Sequence, residues 1–183
     1  MNRIIDPSTM EVVHDPVNRN PFLKMLGLEL VESAGGHAYF IQEPHAHIQN
    51  VYGVAHGGVI MTLFDAALAS AALSRVDFSM GIVTLDMSIN FIGPGAGRLH
   101  VRGHATGGGS SVCFCEGEIT DDAGKLVAKA IGSFKYRRRK PGGKVVPITE
   151  GESAVLAAGG VDAVNDVGTA SAPAGAQGLK YIV

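Results

Sequence analysis

The longest apolar run of the chain lies between Gly57 and Val76 and is rich in Ala, Leu and Met, with Asp65 as its only acidic residue. These residue types favour helix, and a helix that is apolar on nearly every side is buried on most of them. The most apolar part, residues 59–73, is shorter than the roughly 20 apolar residues that a membrane span needs. The run therefore predicts one long buried helix and no membrane span.

A strict alternation of apolar and polar residues follows, over residues 83–91. The apolar set is Val83, Leu85, Met87, Ile89 and Phe91, and the polar set is Thr84, Asp86, Ser88 and Asn90. Such a period of two predicts a half-buried strand. Further strands are predicted over about 98–105, 111–120 and 126–136, with a turn at Asp121–Gly124.

The part before the long helix carries clear start and stop signals. Asn20 and Pro21 favour the beginning of a short helix, and Gly27 favours its end. Residues 28–34 and 37–43 are expected to form two strands joined by a glycine turn. The complete order predicts an α+β domain, in which an antiparallel sheet of about five to six strands curls round one long helix.

This domain is expected to span residues 20–136. Residues 1–19 are expected to be an irregular arm, and the Gly/Ala-rich residues 137–183 a largely irregular tail. The chain has 183 residues, of which 46% are hydrophobic and 17% charged. That balance provides a real core and excludes a disordered protein.

Charge and aromatic content narrow the range of partners. The net charge is −2 and the chain has no Trp, which argues against a nucleic-acid binder. Cys113 and Cys115 point to one face of a predicted strand and are expected to be free thiols, as in a reducing compartment. With no signal peptide recognised in the first residues, the expected location is cytoplasmic.

The candidate chemistry lies between residues 50 and 65. Gly57 and Gly58 stand at the start of the long helix, where free backbone N–H groups and the helix dipole favour an anion or an oxyanion. Alternatively, the two glycines only allow close packing. Asp65 lies in apolar surroundings, so it needs either a catalytic role or a structural partner such as a backbone N–H or an Arg.

Helix geometry separates these two features. Gly57 and Asp65 lie about 12 Å apart along one helix and on different faces, so they cannot flank one reacting carbon. Cooperation between them requires a second subunit related by a two-fold axis. Such an approach would use the helix face formed by Met61, Thr62, Asp65, Ala69 and Ala72.

These residues form a pattern that resembles the hotdog-fold acyl-CoA thioesterases, in particular the PaaI-like (phenylacetic acid degradation) subfamily, over residues 21–136. The pattern is Asn50, Gly53, His56, Gly57, Gly58, Leu63 and Asp65, followed by Thr84, Leu85 and Asp86. The resemblance implies the hotdog fold, homodimers and often homotetramers. It also implies hydrolysis of an acyl-CoA to free acid and CoA without metal or other cofactor.

The resemblance further implies a role for each residue. The N–H of Gly57 would polarise the thioester carbonyl, and Asp65 of the partner subunit would act as general base or as nucleophile. Thr84 would orient the water, while Asn50 and His56 would position the thioester and help the thiolate to leave. Alternatively, the three residues have structural roles only: Asn50 is a turn residue, His56 a helix cap and Thr84 an ordinary strand residue.

The residues expected to contact the CoA part of the substrate depart from the family pattern. Relatives commonly have a glycine and a basic residue before the strand that here begins near Ser111, and this chain has no basic residue there. Backbone amides of a glycine loop can bind phosphate alone, and Arg137 could supply charge. The expected contacts with CoA or the acyl group are Gly58, Gly108, Gly109, Ser110, Ser111 and Arg137. Met61, Phe64, Met80 and Met87 are expected near the acyl chain.

Other functions are less well supported by the residues. His45 and His47 form an H-x-H pair with no third ligand at matching spacing, so no metal site is expected. The chain has no G-x-S-x-G nucleophile elbow, and the cysteines are expected to pack as small hydrophobes. The remaining alternatives are a non-catalytic acyl-CoA-sensing hotdog module and a hotdog dehydratase or hydratase.

Overall fold

Six antiparallel strands and two α-helices make up the part of the chain that the computed structural model describes, which is Val17 and residues 20–138. In chain order the elements are α1 (Pro21–Met25), β1 (Leu28–Ala34), β2 (His37–Gln42), α2 (Gly57–Ser74), β3 (Gly81–Phe91), β4 (Leu99–Gly108), β5 (Val112–Asp121) and β6 (Leu126–Arg137), with one 3-10 turn at Ala46–Ile48. The predicted α+β hotdog architecture is confirmed. The expected arm and tail lie outside the described residues, apart from Val17, Arg137 and Arg138.

The local signals act as the sequence predicts. The Asn20 side chain caps α1 by accepting hydrogen bonds from the N–H groups of Phe22 and Leu23, at 3.0 and 3.4 Å. Strands β1 and β2 are joined at Gly35 and Gly36, whose φ angles of 55° and 88° suit glycine. The predicted short helix and hairpin are therefore confirmed.

Helix α2 lies against one face of a sheet with the strand order β1-β2-β4-β5-β6-β3. Its inward side chains are fully buried in the core, among them Leu63, Phe64, Ala67 and Leu68. A Cβ at Gly103 of β4 would lie 2.9 Å from the Ala67 carbonyl, so glycine is required for this close approach. By length and composition alone α2 could cross a membrane, but 56% of it is buried inside the fold, which accounts for its apolar sequence.

Strand β3 lies at the edge of the sheet and pairs only with β6 among the described strands. The register shifts between Thr84 and Asp86, so Leu85 forms a bulge and the expected strict alternation of faces is wrong at this point. The strand is also less buried than predicted. Val83, Leu85 and Phe91 are 40%, 54% and 55% exposed, which leaves a long apolar edge open to another chain.

Cys113 and Cys115 are free and buried, with their Sγ atoms 3.8 Å apart. Burial, and next the neighbouring Cys113, raises the pKa of the Cys115 thiol well above its usual value of 9.0. The thiol is thus protonated at neutral pH, and a thiol is a far weaker nucleophile than a thiolate. Cys115 therefore packs as a small apolar residue, as the sequence predicts.

The raised pKa of Cys115 makes the fold sensitive to alkaline pH. Below about pH 9 the thiol is protonated in both states, whereas above it only the unfolded chain releases the proton, so the free energy of unfolding should fall. Urea unfolding at about pH 8 and pH 10.5 measures this loss. Cys115→Ala should be less stable at the lower pH yet lose less on going to the higher one. Equal losses in the two proteins would contradict the prediction.

Candidate active site

The N-terminus of α2 offers one free backbone donor. His56 is the N-cap residue, and its Nδ1 accepts a hydrogen bond from the N–H of Gly58 at 3.0 Å. The N–H of Gly57 has no acceptor in the described part of the chain. This amide combines an unpaired N–H with the positive end of the helix dipole, and it can therefore hold a carbonyl oxygen that becomes an oxyanion.

The cap also determines which ring nitrogen carries the proton in the neutral form of His56. Because Nδ1 accepts the bond from Gly58, the proton of the neutral imidazole lies on Nε2, which is free to donate. A Cβ at Gly58 would lie 3.2 Å from that Nδ1, so glycine leaves room for the cap. Gly58 thus supports the loop, and its own N–H is already used.

Asn50 holds the loop that leads into α2. Its Oδ1 accepts hydrogen bonds from the N–H groups of Tyr52 and Val54 at 2.9 and 3.5 Å. The side-chain oxygen therefore serves the turn, and the NH₂ group is what Asn50 can offer to a ligand. Asn50, His56 and Gly57 lie together at one end of α2.

Asp65 and Thr84 meet between α2 and β3. The Thr84 hydroxyl donates a hydrogen bond of 2.6 Å to Asp65 Oδ1, and Thr84 directly precedes the bulge at Leu85. Asp65 is half-buried rather than enclosed in the core, and its partner is a hydroxyl instead of the backbone N–H or Arg of the structural alternative. In the described residues its second carboxylate oxygen accepts no hydrogen bond, so it can accept a proton from water.

Asp65 opens onto an apolar groove of about 470 Å³ between α1, α2 and β3. The groove is lined mainly by apolar side chains, including Phe22, Met61, Ala69, Leu73, Ile82 and Met87. Of the residues expected near an acyl chain, Met61 and Met87 lie here. Phe64 does not, because it is fully buried in the core, and Met80 is not part of the lining.

The free amide and the carboxylate do not share one site within a single chain. Gly57 and Asp65 lie about 12 Å apart along α2, and the ring of Phe91 lies beside Gly57, with its nearest carbon 3.6 Å from where a Cβ would be. Thr84 and Asp65 therefore lie toward the Gly81 end of β3, and Gly57 lies at the Phe91 end. The proposed helix face also needs one change, because Ala72 is fully buried.

The expected phosphate contacts cluster at one end of the sheet. Gly108 has a φ of 118°, and a Cβ there would lie 2.2 Å from the Val112 carbonyl oxygen, so the turn requires glycine. Gly109 donates its N–H to Val112 at 2.9 Å, while Ser110 and Ser111 are exposed. Arg137 is exposed at the end of β6, paired with Gly81 of β3. In the described part of the chain none of these residues is hydrogen-bonded to Asp65 or Gly57.

Arg75 also contacts this loop, although it belongs to none of the sequence motifs that predict the site. Its guanidinium donates to the carbonyl oxygens of Gly107 and Gly108 at 3.0 and 3.1 Å. The available signal is its position, since it is the only basic residue in the apolar run that begins at Gly57. Its contact with a loop 32 residues away depends on the tertiary fold and has no local sequence signal.

Of the H-x-H pair, His47 lies within the 3-10 turn before α2 and His45 is the N-cap residue of that turn. The rings of His45 and His47 are tilted, with centroids 6.1 Å apart. Within residues 20–138, no three His, Cys, Asp or Glu side chains lie close enough together to hold a metal ion. The described part of the chain therefore provides two ligands here and no third.

Comparison with known proteins places this geometry in context. A model of the thioesterase superfamily matches residues 52–128, a span that contains Gly57, Asp65 and Thr84. A curated protein of Saccharolobus solfataricus, named provisionally as an esterase, is 43% identical over 89 residues. That match covers 48% of this chain and 63% of the relative, so the chain spans less than two thirds of the relative's length.

Solved structures give a similar result. A variant of the phenylacetic acid degradation protein PaaI from Thermus thermophilus is 31% identical with a TM-score of 0.58, over 64% of this chain and 99% of that one. The PaaI protein from the phenylacetic acid degradation operon of E. coli is 26% identical with a TM-score of 0.61, over 65% and 86%. In both cases sequence identity accompanies the structural likeness.

Proposed function

The chain belongs to the hotdog-fold thioesterase superfamily, among the PaaI-like proteins, and on that basis we propose that it hydrolyses an acyl-CoA thioester. The observation that carries the proposal is the hydrogen-bonded Thr84–Asp65 pair, whose carboxylate is part of the lining of an apolar groove. The apolar lining of the groove supports binding of an acyl chain, and Asp65 in that lining supports a catalytic role for its carboxylate. The reaction is R–CO–S–CoA + H₂O → R–COO⁻ + CoA–SH + H⁺.

Asp65 supplies the catalytic carboxylate. As general base it takes a proton from water while the oxygen of that water bonds to the thioester carbon. As nucleophile it forms an acyl anhydride, which water then opens. In both routes the C–S bond breaks and CoA leaves as thiolate, which takes up a proton. Thr84 holds one carboxylate oxygen, and the other has no hydrogen bond within the described residues, so it is available to the substrate or to water.

The Gly57 amide supplies the oxyanion contact. Negative charge develops on the thioester oxygen as the carbon becomes tetrahedral, and an unpaired, oriented N–H stabilises it most at that stage. The free N–H at the start of α2 supports this role. The Nε2–H of His56, at the N-cap of α2, and the NH₂ group of Asn50, in the loop before it, are further donors for positioning the thioester or protonating the leaving thiolate.

Both groups act on one thioester only if two chains combine. The open edge of β3 carries exposed apolar side chains, which favours pairing with another strand. Antiparallel pairing of β3 with a second copy about its centre places the Phe91 end of one chain beside the Gly81 end of the other. Gly57 of the partner subunit then approaches Asp65 and Thr84, and the two-fold axis creates two equal sites.

Mixing two inactive variants tests the shared site. Asp65→Asn and Gly57→Pro remove different groups, so a heterodimer holds one doubly damaged site and one intact site. Random exchange makes half of the dimers mixed, and the mixture should regain about a quarter of wild-type activity. Differently tagged chains prove that exchange took place. Proven heterodimers without activity would show that each site lies within one chain.

Free-thiol release from aromatic, medium-chain and long-chain acyl-CoAs tests the function itself. Turnover of at least one class, with saturation, is expected. Binding of these compounds without thiol release would indicate an acyl-CoA-sensing module instead. Loss of substrate with conversion of the acyl chain and no free thiol would indicate hydratase or dehydratase chemistry. The association of dimers into tetramers, which the resemblance implies, is measured in the same preparation by light scattering.

A further inference from the structure

Arg75 holds the glycine loop and still has donors to spare. Its Nη1 donates to Gly107 O and lies 3.9 Å from Cys113 Sγ, and its Nη2 donates to Gly108 O. A guanidinium has five N–H donors, so the Nε–H and one Nη2–H remain. The side chain is exposed, and no carboxylate in the described residues forms an ion pair with it. Arg75 can therefore bind an anion while it holds the loop.

The loop beside Arg75 contains more glycine than the fold requires. Glycine is needed at Gly108, where φ is 118° and a Cβ would clash with Val112. At Gly107 and Gly109 φ lies outside the left-handed region, and a Cβ would meet nothing within 4 Å. Neither conformation nor packing explains glycine at these two positions. Bare backbone next to open space is what a ligand lying against the loop requires.

Arg75 lies on the helix side of the sheet, as Asp65 does. Phe134 and Tyr136 of β6 are buried on the helix side, and the Tyr136 hydroxyl donates to the carbonyl of Ala72 in α2. Strand alternation then turns Arg137 to the outer face. Arg75 follows α2 and shares its side with Asp65, from which it lies about 15 Å along the helix axis. An extended pantetheine arm has a length of the same order.

We propose that Arg75, together with the bare backbone of Gly107–Gly109, forms the subsite for the phosphate groups of the acyl carrier. Arg75 takes the part that a basic residue of the loop would play, and Arg137 is outside this subsite. The guanidinium binds phosphate oxygens through its free N–H groups, a charge-assisted contact that two donors make directional. The subsite rests on the proposed function, because it assigns phosphate-bearing CoA as the carrier.

Two substrates with the same acyl group isolate the phosphate contact. One is the acyl-CoA and the other is the acyl thioester of N-acetylcysteamine, which has no phosphate. Arg75→Met should raise KM for the acyl-CoA by about 10- to 100-fold, as for the loss of hydrogen bonds to a charged group. It should leave kcat/KM for the truncated thioester unchanged. Arg75→Lys should restore part of the affinity, because it keeps the charge without the planar fork.

A second variant separates the subsite from the support of the loop. Gly109→Asp adds a negative charge in open space, so the fold should keep its melting temperature while KM for the acyl-CoA rises and that for the truncated thioester does not. Lys125→Met is the matched control for charge, since Lys125 is exposed in the β5–β6 turn at the other end of β5. It should change neither KM.

The outcomes are distinct for the subsite and for the function. Equal losses on both substrates in Arg75→Met, with no selective effect of Gly109→Asp, would make Arg75 a structural anchor and overturn the subsite. If wild type hydrolyses neither thioester, the proposed function fails, and calorimetry with CoA itself then tests the subsite. Weaker CoA binding by Arg75→Met and Gly109→Asp than by Lys125→Met supports it, and equal binding by all three overturns it.

Discussion

Asp65→Asn is expected to lower kcat for thioester hydrolysis by about 10²- to 10⁴-fold, the range for loss of a positioned general base. Asparagine has nearly the same shape, and its side-chain oxygen can still accept the bond that Thr84 makes to Asp65 at 2.6 Å. Asp65 is only half-buried, so the substitution should leave the melting temperature nearly unchanged. Steady-state thiol release and thermal unfolding on the same preparation measure both effects.

Thr84→Val is the control for the hydroxyl. It removes the hydrogen bond and keeps the carboxylate, so its loss of kcat should be smaller than that of Asp65→Asn. Full activity of Asp65→Asn would remove Asp65 from the mechanism. In ¹⁸O-labelled water, label found in the Asp65 carboxylate after a single turnover would identify the anhydride route, because the general-base route cannot place label there.

The sequence predicts most of the fold because its signals are local. The cap at Asn20, the glycines of the first hairpin and the apolar run from Gly57 each determine an element within a few residues of themselves. The bulge at Leu85 could not be predicted in this way. It depends on the register between β3 and β6, which places Thr84 opposite Phe134 and Asp86 opposite Ser133. The register shift begins at Thr84, the residue whose hydroxyl contacts Asp65.

In the candidate site, too, local sequence predicts some residues, whereas others depend on the tertiary fold. The spacing of His56, Gly57 and Asp65 predicts an N-terminal amide and a carboxylate on one helix, and the structure has both. The role of Arg75 could not be predicted, because a long side chain reaches whatever the tertiary fold brings near. The exposure of β3 is also a tertiary property, since alternation describes which residues share a face and not whether that face is covered.

Gly57→Pro is expected to lower kcat by about 10²- to 10³-fold, the usual effect of losing one oxyanion donor. Proline removes the N–H and little else at the first position of a helix, where that N–H has no partner within the helix. Helix α1 of this chain already begins with Pro21. The preceding residue here, His56, has φ −62° and ψ 142°, the extended conformation that a residue before proline prefers. Thiol release and the melting temperature check the prediction.

Gly57→Ala is the matched control, because it adds a Cβ and keeps the N–H. That Cβ would lie 3.6 and 3.7 Å from two ring carbons of Phe91, which is ordinary contact, so Gly57→Ala should keep most of the wild-type kcat. If the two variants lose activity equally, crowding against Phe91 explains the loss and the amide has no catalytic part. If only Gly57→Pro loses kcat while both remain folded, the effect belongs to the N–H. The oxyanion role then follows from a single removed donor.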